Sequence, residues 1–127
     1  MKVWIRADGN EHIGTGHVMR CLAIAEALEA AGVQVCFVMA DDAAAKLVKS
    51  RGKKVRILHT RYDRMEEELP ALTAVMEEEH PDMLLIDSYY VSDAYLERLT
   101  EQVWTAYIDD KSFHSYPVNM IINYNIY

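Results

Sequence analysis

Residues 13–20 read Ile-Gly-Thr-Gly-His-Val-Met-Arg and lie where a strand-like apolar run gives way to helical spacing, which places His17 at a helix N-terminus. Helix starts are common sites of chemistry, because the N–H groups of the first turn have no intrahelical acceptor and favour negative charge or lone pairs. Gly14 and Gly16 let the backbone come close to a ligand, or simply meet the needs of a tight turn. By position alone, His17 reads more simply as a side chain that hydrogen-bonds its own loop. Arg20 follows one turn later, within reach of a phosphate or of a neighbouring carboxylate.

Three aspartates, Asp8, Asp87 and Asp109, each close an apolar strand-like run, and Tyr89 follows the second of them. Asp8 is read as orienting His17 or binding sugar hydroxyls, and equally as capping its loop. Asp87, Tyr89 and Asp109 are read as substrate contacts at strand ends, whereas Asp110 is read as a turn former. His12, His59, His80 and His114 lack the spacing of metal ligands and receive no role, and neither a metal nor a cofactor is called for.

The elements that must carry these residues alternate in type. Val3–Ala7 is a strand, followed by the loop Asp8–Thr15 and a helix with Val18, Cys21, Leu22, Ala25 and Leu28 at helical spacing, stopped by Gly32. Val33–Met39 is the second strand, and Asp41 or Asp42 is expected to cap a helix bearing Ala44, Ala45, Leu47 and Val48. Val55–Leu58 is a short third strand. Met65, Leu69, Leu72, Val75 and Met76 mark a helix in which Pro70 is tolerable only in the first turn, and His80-Pro81 ends it. Met83–Asp87, a helix capped at Ser92-Asp93 with Leu96, Leu99 and Val103, then Trp104–Ile108 and Met120–Ile122 complete the series. The acidic stretches Glu66–Glu68 and Glu77–Glu79 read as solvated helix faces.

Such alternation predicts an α/β fold: a Rossmann-like open, mostly parallel sheet of about six strands in the order 3-2-1-4-5-6, with helices on both faces. Ligands of these sheets bind outside the carboxyl ends of the strands, near the switch between the first and fourth. His17 and the three strand-end acids converge there.

The chain has 127 residues, 51% apolar and 26% charged, as expected of one soluble globular domain. A formal charge of −7 and the lack of a basic stripe argue against nucleic acid as a partner. No apolar run approaches the roughly 20 residues of a membrane span, so a cytoplasmic location without membrane contact is the expectation. Cys21 and Cys36 fall at apolar positions and read as reduced thiols.

The glycine loop is not a Walker phosphate loop, since His17-Val18 stands where that motif needs lysine and a hydroxyl. A dinucleotide fingerprint fits better, with Gly14 and Gly16 as its first two glycines and Asp41 or Asp42 to hold a ribose, but Met19 occupies the third glycine position. An NAD-dependent oxidoreductase is therefore the second reading.

Arg6-Ala7-Asp8 followed by Ile13-Gly14-Thr15-Gly16-His17-Val18-Met19-Arg20-Cys21-Leu22-Ala23 is very similar to the opening of the UDP-sugar hydrolases of pseudaminic acid biosynthesis and their relatives in spore-coat polysaccharide synthesis. Ile86-Asp87-Ser88-Tyr89, Ile108-Asp109-Asp110 and Ile121-Ile122-Asn123-Tyr124-Asn125 extend the resemblance across the chain. It implies the N-terminal half of a GT-B architecture, with residues 1–127 as one Rossmann-like domain and a C-terminal nucleotide-binding domain absent.

By the same resemblance, His17 is the general base that deprotonates water for attack on the anomeric carbon of a UDP-linked deoxy amino sugar. Free sugar of inverted configuration and UDP would be the products. A helix N-terminus disfavours imidazolium by up to about 1 kcal/mol, which suits a neutral base unless a carboxylate opposes it. Asp8, Gly14, Thr15, Gly16, Arg20, Asp87, Tyr89 and Asp109 form the expected substrate surface. Two further readings stand beside the hydrolase: a related GT-B glycosyltransferase, in which a sugar hydroxyl replaces water, and a non-catalytic nucleotide-sugar binding module. A homo-oligomer of the fragment is compatible with either.

Overall fold

The computed structural model describes residues 1–109 and 115–123; Asp110, His114, Tyr124 and Asn125, named above, lie outside them. Six strands form one parallel sheet: β1 (Lys2–Ala7), β2 (Gln34–Met39), β3 (Lys54–Ile57), β4 (Met83–Asp87), β5 (Trp104–Asp109) and β6 (Met120–Asn123). Their order is β3-β2-β1-β4-β5-β6, so the sheet has the expected order, with β1 and β4 adjacent at the switch point.

Helices α1 (Gly16–Ala30), α2 (Ala45–Ser50), α3 (Leu69–Glu79) and α4 (Asp93–Thr100) cover the two faces. Successive strand residues point to opposite faces. Val3, Ile5 and Ala7 of β1 therefore pack with Val18, Cys21, Leu22 and Ala25 of α1 and with Val48 of α2. Trp4 faces the other way, toward Leu72 and Met76 of α3 and Leu96 and Leu99 of α4. Cys21 belongs to the first layer, whereas Cys36 packs against the second; the sheet separates them and both are free thiols.

Local chemistry explains the helix boundaries. α1 stops because Gly32 adopts φ +87°, letting the Gly32 and Val33 N–H groups donate to the Glu29 and Leu28 carbonyls at 3.0 Å each. α3 begins at Leu69 with Pro70 in its first turn, after a 3₁₀ turn at Met65–Glu68, and ends at left-handed His80 just before Pro81. Ser92 caps α4 by accepting the Tyr95 N–H at 3.1 Å, and Val103 lies beyond the helix end at Thr100.

The expected cap of α2 is different. Asp41 Oδ1 accepts the Ala43 N–H at 3.0 Å, which closes a turn there and delays the helix until Ala45, with Ala44 as its N-cap.

The acidic run also needs correcting at one residue. Alternation puts Arg6 on the same face as Trp4, where it is wholly buried, and it needs a counter-charge. Glu68 supplies it from the 3₁₀ turn, with Oε2 accepting Nε at 2.8 Å and Oε1 accepting Nη2 at 2.6 Å. The Tyr95 hydroxyl also donates to Glu68 Oε2 at 2.7 Å. Glu68 is thus a fully buried carboxylate rather than part of a solvated face. Burial opposes the charge on Arg6, but the hydrogen bond and the charge of Glu68, with Asp8 beside them, outweigh it and hold the guanidinium firmly protonated.

Candidate active site

The loop between β1 and α1 is held tightly before it delivers His17. Asn10 and Gly14 exchange two backbone hydrogen bonds, at 3.2 and 2.7 Å, and Asn10 Oδ1 accepts the His12 and Ile13 N–H groups at 2.8 and 3.0 Å. Gly14 closes this turn at φ +72°, a conformation that disfavours any other residue. Gly16 has a different role: it opens α1, and a Cβ there would meet nothing within 4 Å.

Gly9, which the sequence reading passed over, is the crowded glycine. A Cβ at Gly9 would lie 3.1 Å from Val18 Cγ2, 3.2 Å from Ala44 Cβ and 3.2 Å from the Gly14 carbonyl oxygen. Loop, α1 and α2 therefore meet at one atom-sized gap. Met19, by contrast, is turned outward at 41% exposure, so the third glycine position of the dinucleotide pattern is not a helix-to-strand contact in this protein.

His17 occupies the first turn of α1 with its side chain 10% exposed, and its Nδ1 lies 2.6 Å from Asp87 Oδ1 at the end of β4. Asp87 is in register with Ala7, which faces α1, so strand alternation aims the carboxylate at the helix start. Arg20 braces the same group, with Nε 2.5 Å from Oδ2 and Nη2 2.5 Å from Oδ1. Cys21 adds a weaker Sγ–H bond to Oδ2 at 3.5 Å.

Burial opposes ionisation of Asp87, but the hydrogen bonds from Arg20 and His17 and their charges outweigh it, so its carboxyl sits below the ordinary aspartate range. An ionised carboxylate only accepts hydrogen bonds, so Nδ1 of His17 must carry the proton. In the neutral ring, the lone pair then resides on Nε2. Burial and the nearby negative charge of Asp87 push the Cys21 thiol well above its usual range, which keeps it protonated.

Asp8 does not join His17. It stands in step with Trp4 and Arg6 on the α3/α4 face, where Oδ2 accepts Arg6 Nη1 and Oδ1 accepts the Ala40 N–H, each at 2.8 Å. Both oxygens serve the frame. Asp109, 6% exposed, ends β5 in register with Asn123 and in step with Tyr107 rather than with the Asp87 side of the sheet. The α4-side loop is held by Tyr107, whose hydroxyl donates to the Ser88 carbonyl at 2.8 Å, and by Ser88 Oγ, which accepts the Tyr90 N–H at 3.1 Å.

Two exposed tyrosines on that loop line the rim. The Tyr89 ring meets His17 edge-on, with centroids 4.6 Å apart and planes at 74°, and Tyr90 meets Tyr62 at 5.5 Å and 85°. On the other side of the glycine loop, an open groove of about 610 Å³ runs between Gly9–His12, Thr15, the start of α2 and Tyr62. Among the described residues, no group of three His, Cys, Asp or Glu could hold a metal ion, and no helix is long and apolar enough to cross a membrane.

No protein-family model and no curated protein sequence matches the chain. Its fold, however, is shared with a solved structure, the glycosyltransferase VinC in complex with dTDP. The TM-score is 0.62 at 15% sequence identity, and the match covers 85% of this chain. The chain spans about a third of that protein's length, 34%. The likeness is one of architecture, and it agrees with the expected Rossmann-like, open parallel sheet.

Proposed function

We propose that this chain is the base-bearing half of a nucleotide-sugar enzyme. His17 Nε2 accepts a proton from water as the water oxygen attacks the anomeric carbon; the bond from that carbon to the diphosphate oxygen breaks, and nucleoside diphosphate leaves from the opposite face. The sugar is released with inverted configuration. The 2.6 Å contact between His17 Nδ1 and Asp87 carries this reading, because it fixes the ring in the tautomer that a base requires. The resemblance of the glycine-flanked segment to UDP-sugar hydrolases favours water as the attacking group.

Tyr89, Thr15 and the backbone at Gly14 and Gly16 are the proposed sugar contacts. Thr15 caps α1 without a side-chain hydrogen bond, which suits donation by the first-turn N–H groups to an oxygen-rich ligand. Asp109 is proposed as a second contact across the crevice. Asp8, held by Arg6 and the Ala40 N–H, is given no part in the sugar contacts. The UDP moiety is assigned to a companion nucleotide-binding domain, since Nε and Nη2 of Arg20 are already held by Asp87.

A second reading, transfer to a sugar hydroxyl, uses the same base and draws support from the fold shared with a glycosyltransferase. Product analysis distinguishes them: a chain joining this unit to its companion domain is incubated with UDP- and dTDP-sugars, alone and with sugar acceptors. Free inverted sugar supports hydrolysis, and a new glycoside supports transfer. Undiminished turnover by the His17→Ala variant would exclude both.

A further inference from the structure

An arginine in a crevice assigned to a sugar nucleotide invites a role as phosphate ligand. At Arg20 the geometry is that of a fork closed on a carboxylate, with Nε and Nη2 each 2.5 Å from a different oxygen of Asp87. The pair is sheltered, at 15% and 0% side-chain exposure, and Nη2 also lies 3.4 Å from His17 Nδ1. His17 and Arg20 therefore share Asp87 Oδ1.

The aspartate terminal torsion is broad and roughly two-fold, so one hydrogen bond to an imidazole does not fix the plane of the carboxylate. A bidentate guanidinium does, because two parallel N–H···O bonds define that plane. We propose that Arg20 is a positioning residue: it locks the Asp87 carboxylate so that Oδ1 faces His17 Nδ1, and so holds the imidazole in the tautomer whose lone pair is on Nε2. This role rests on the reading of His17 as a base. It also removes the Nε and Nη2 donors of Arg20 from phosphate binding.

Lysine retains the positive charge but lacks the planar fork, so charge and geometry can be separated. The test records long-range ¹H–¹⁵N correlations of the His17 ring in the 127-residue chain, at a pH where the ring is neutral, for the native protein, Arg20→Lys, Arg20→Gln and Asp87→Asn. Amide spectra verify the fold of each. The native ring is expected as the Nδ1–H tautomer. Both Arg20 variants are expected to lower the tautomer ratio about tenfold, equivalent to about 1.4 kcal/mol.

An unchanged ratio in both Arg20 variants, with a changed one in Asp87→Asn, overturns the role of Arg20 and leaves the base reading intact. An unchanged ratio in Asp87→Asn as well removes the His17–Asp87 dyad and the proposal with it. A loss confined to Arg20→Gln shows that charge alone suffices, and overturns the fork.

Discussion

His17 and Asp87 are 70 positions apart in sequence, yet Nδ1 and Oδ1 lie 2.6 Å apart where α1 begins and β4 ends. The switch point of the sheet makes this meeting possible. β1 and β4 are neighbours, and the loop leaving β1 turns directly over the end of β4.

Replacing Asp87 with Asn keeps the side-chain shape but removes the charge that selects the tautomer. If His17 is the proposed base, turnover by this unit joined to the proposed companion domain is expected to fall by about 10²–10⁴-fold, the usual worth of a positioned acid or base, with KM little changed. Steady-state kinetics on a nucleotide sugar check this; a rise of the same size in KM with kcat unchanged would assign Asp87 to substrate binding.

The lowered folded-state pKa of Asp87 fixes the sign of its effect on stability. Its contribution is fully present above the unfolded value of about 3.9 and is lost as the pH falls through the lower folded value. The stability gap between native protein and Asp87→Asn, measured by urea unfolding, is therefore expected to be constant near neutrality and to narrow only below about pH 4. A gap that narrows between neutrality and pH 5 would contradict this.

Glu68→Leu leaves Arg6 buried beside Asp8 alone and strands the Tyr95 hydroxyl. Breaking one side of such a buried pair is expected to destabilise the fold by about 3–5 kcal/mol. The exposed Glu77 supplies the control, since Glu77→Gln should change stability by no more than about 0.5 kcal/mol. Denaturant midpoints at one pH compare the two.

Gly14 and Gly16 should separate cleanly. Gly14→Ala forces a side chain into the left-handed region and is expected to cost about 1–2 kcal/mol. Gly16→Ala meets open space within a helix and should stabilise the protein by roughly 0.5–1 kcal/mol. Lost turnover in a Gly16→Ala protein of raised stability would mark that position as a surface for ligand approach.

Strand order and nearly every helix were legible because apolar runs alternated with helical spacing, and because Gly32, Pro70 and the His80-Pro81 pair act through local backbone chemistry. Which aspartate meets His17 was not. β1 and β4 are buried on both faces, so their near-continuous apolar runs hide the period-two alternation that turns Asp8 away and Asp87 toward α1. Glu68 was masked in the same way, within a run of three glutamates whose other members face outward. Its partner Arg6, a charge inside a strand buried on both faces, was the signal that a buried acid had to exist. Gly9 gave no sign, since its crowding comes from α1 and α2 together.

The edge-on contact between Tyr89 and His17, at 4.6 Å between centroids, also places the imidazole protons in the ring-current field of an exposed aromatic. Their resonances should be displaced from those of an isolated histidine, and Tyr89→Leu should abolish the displacement. A ligand that parts the two rings would do the same, so the native protein carries its own unlabelled reporter of occupancy at the nitrogen where a proton would be taken.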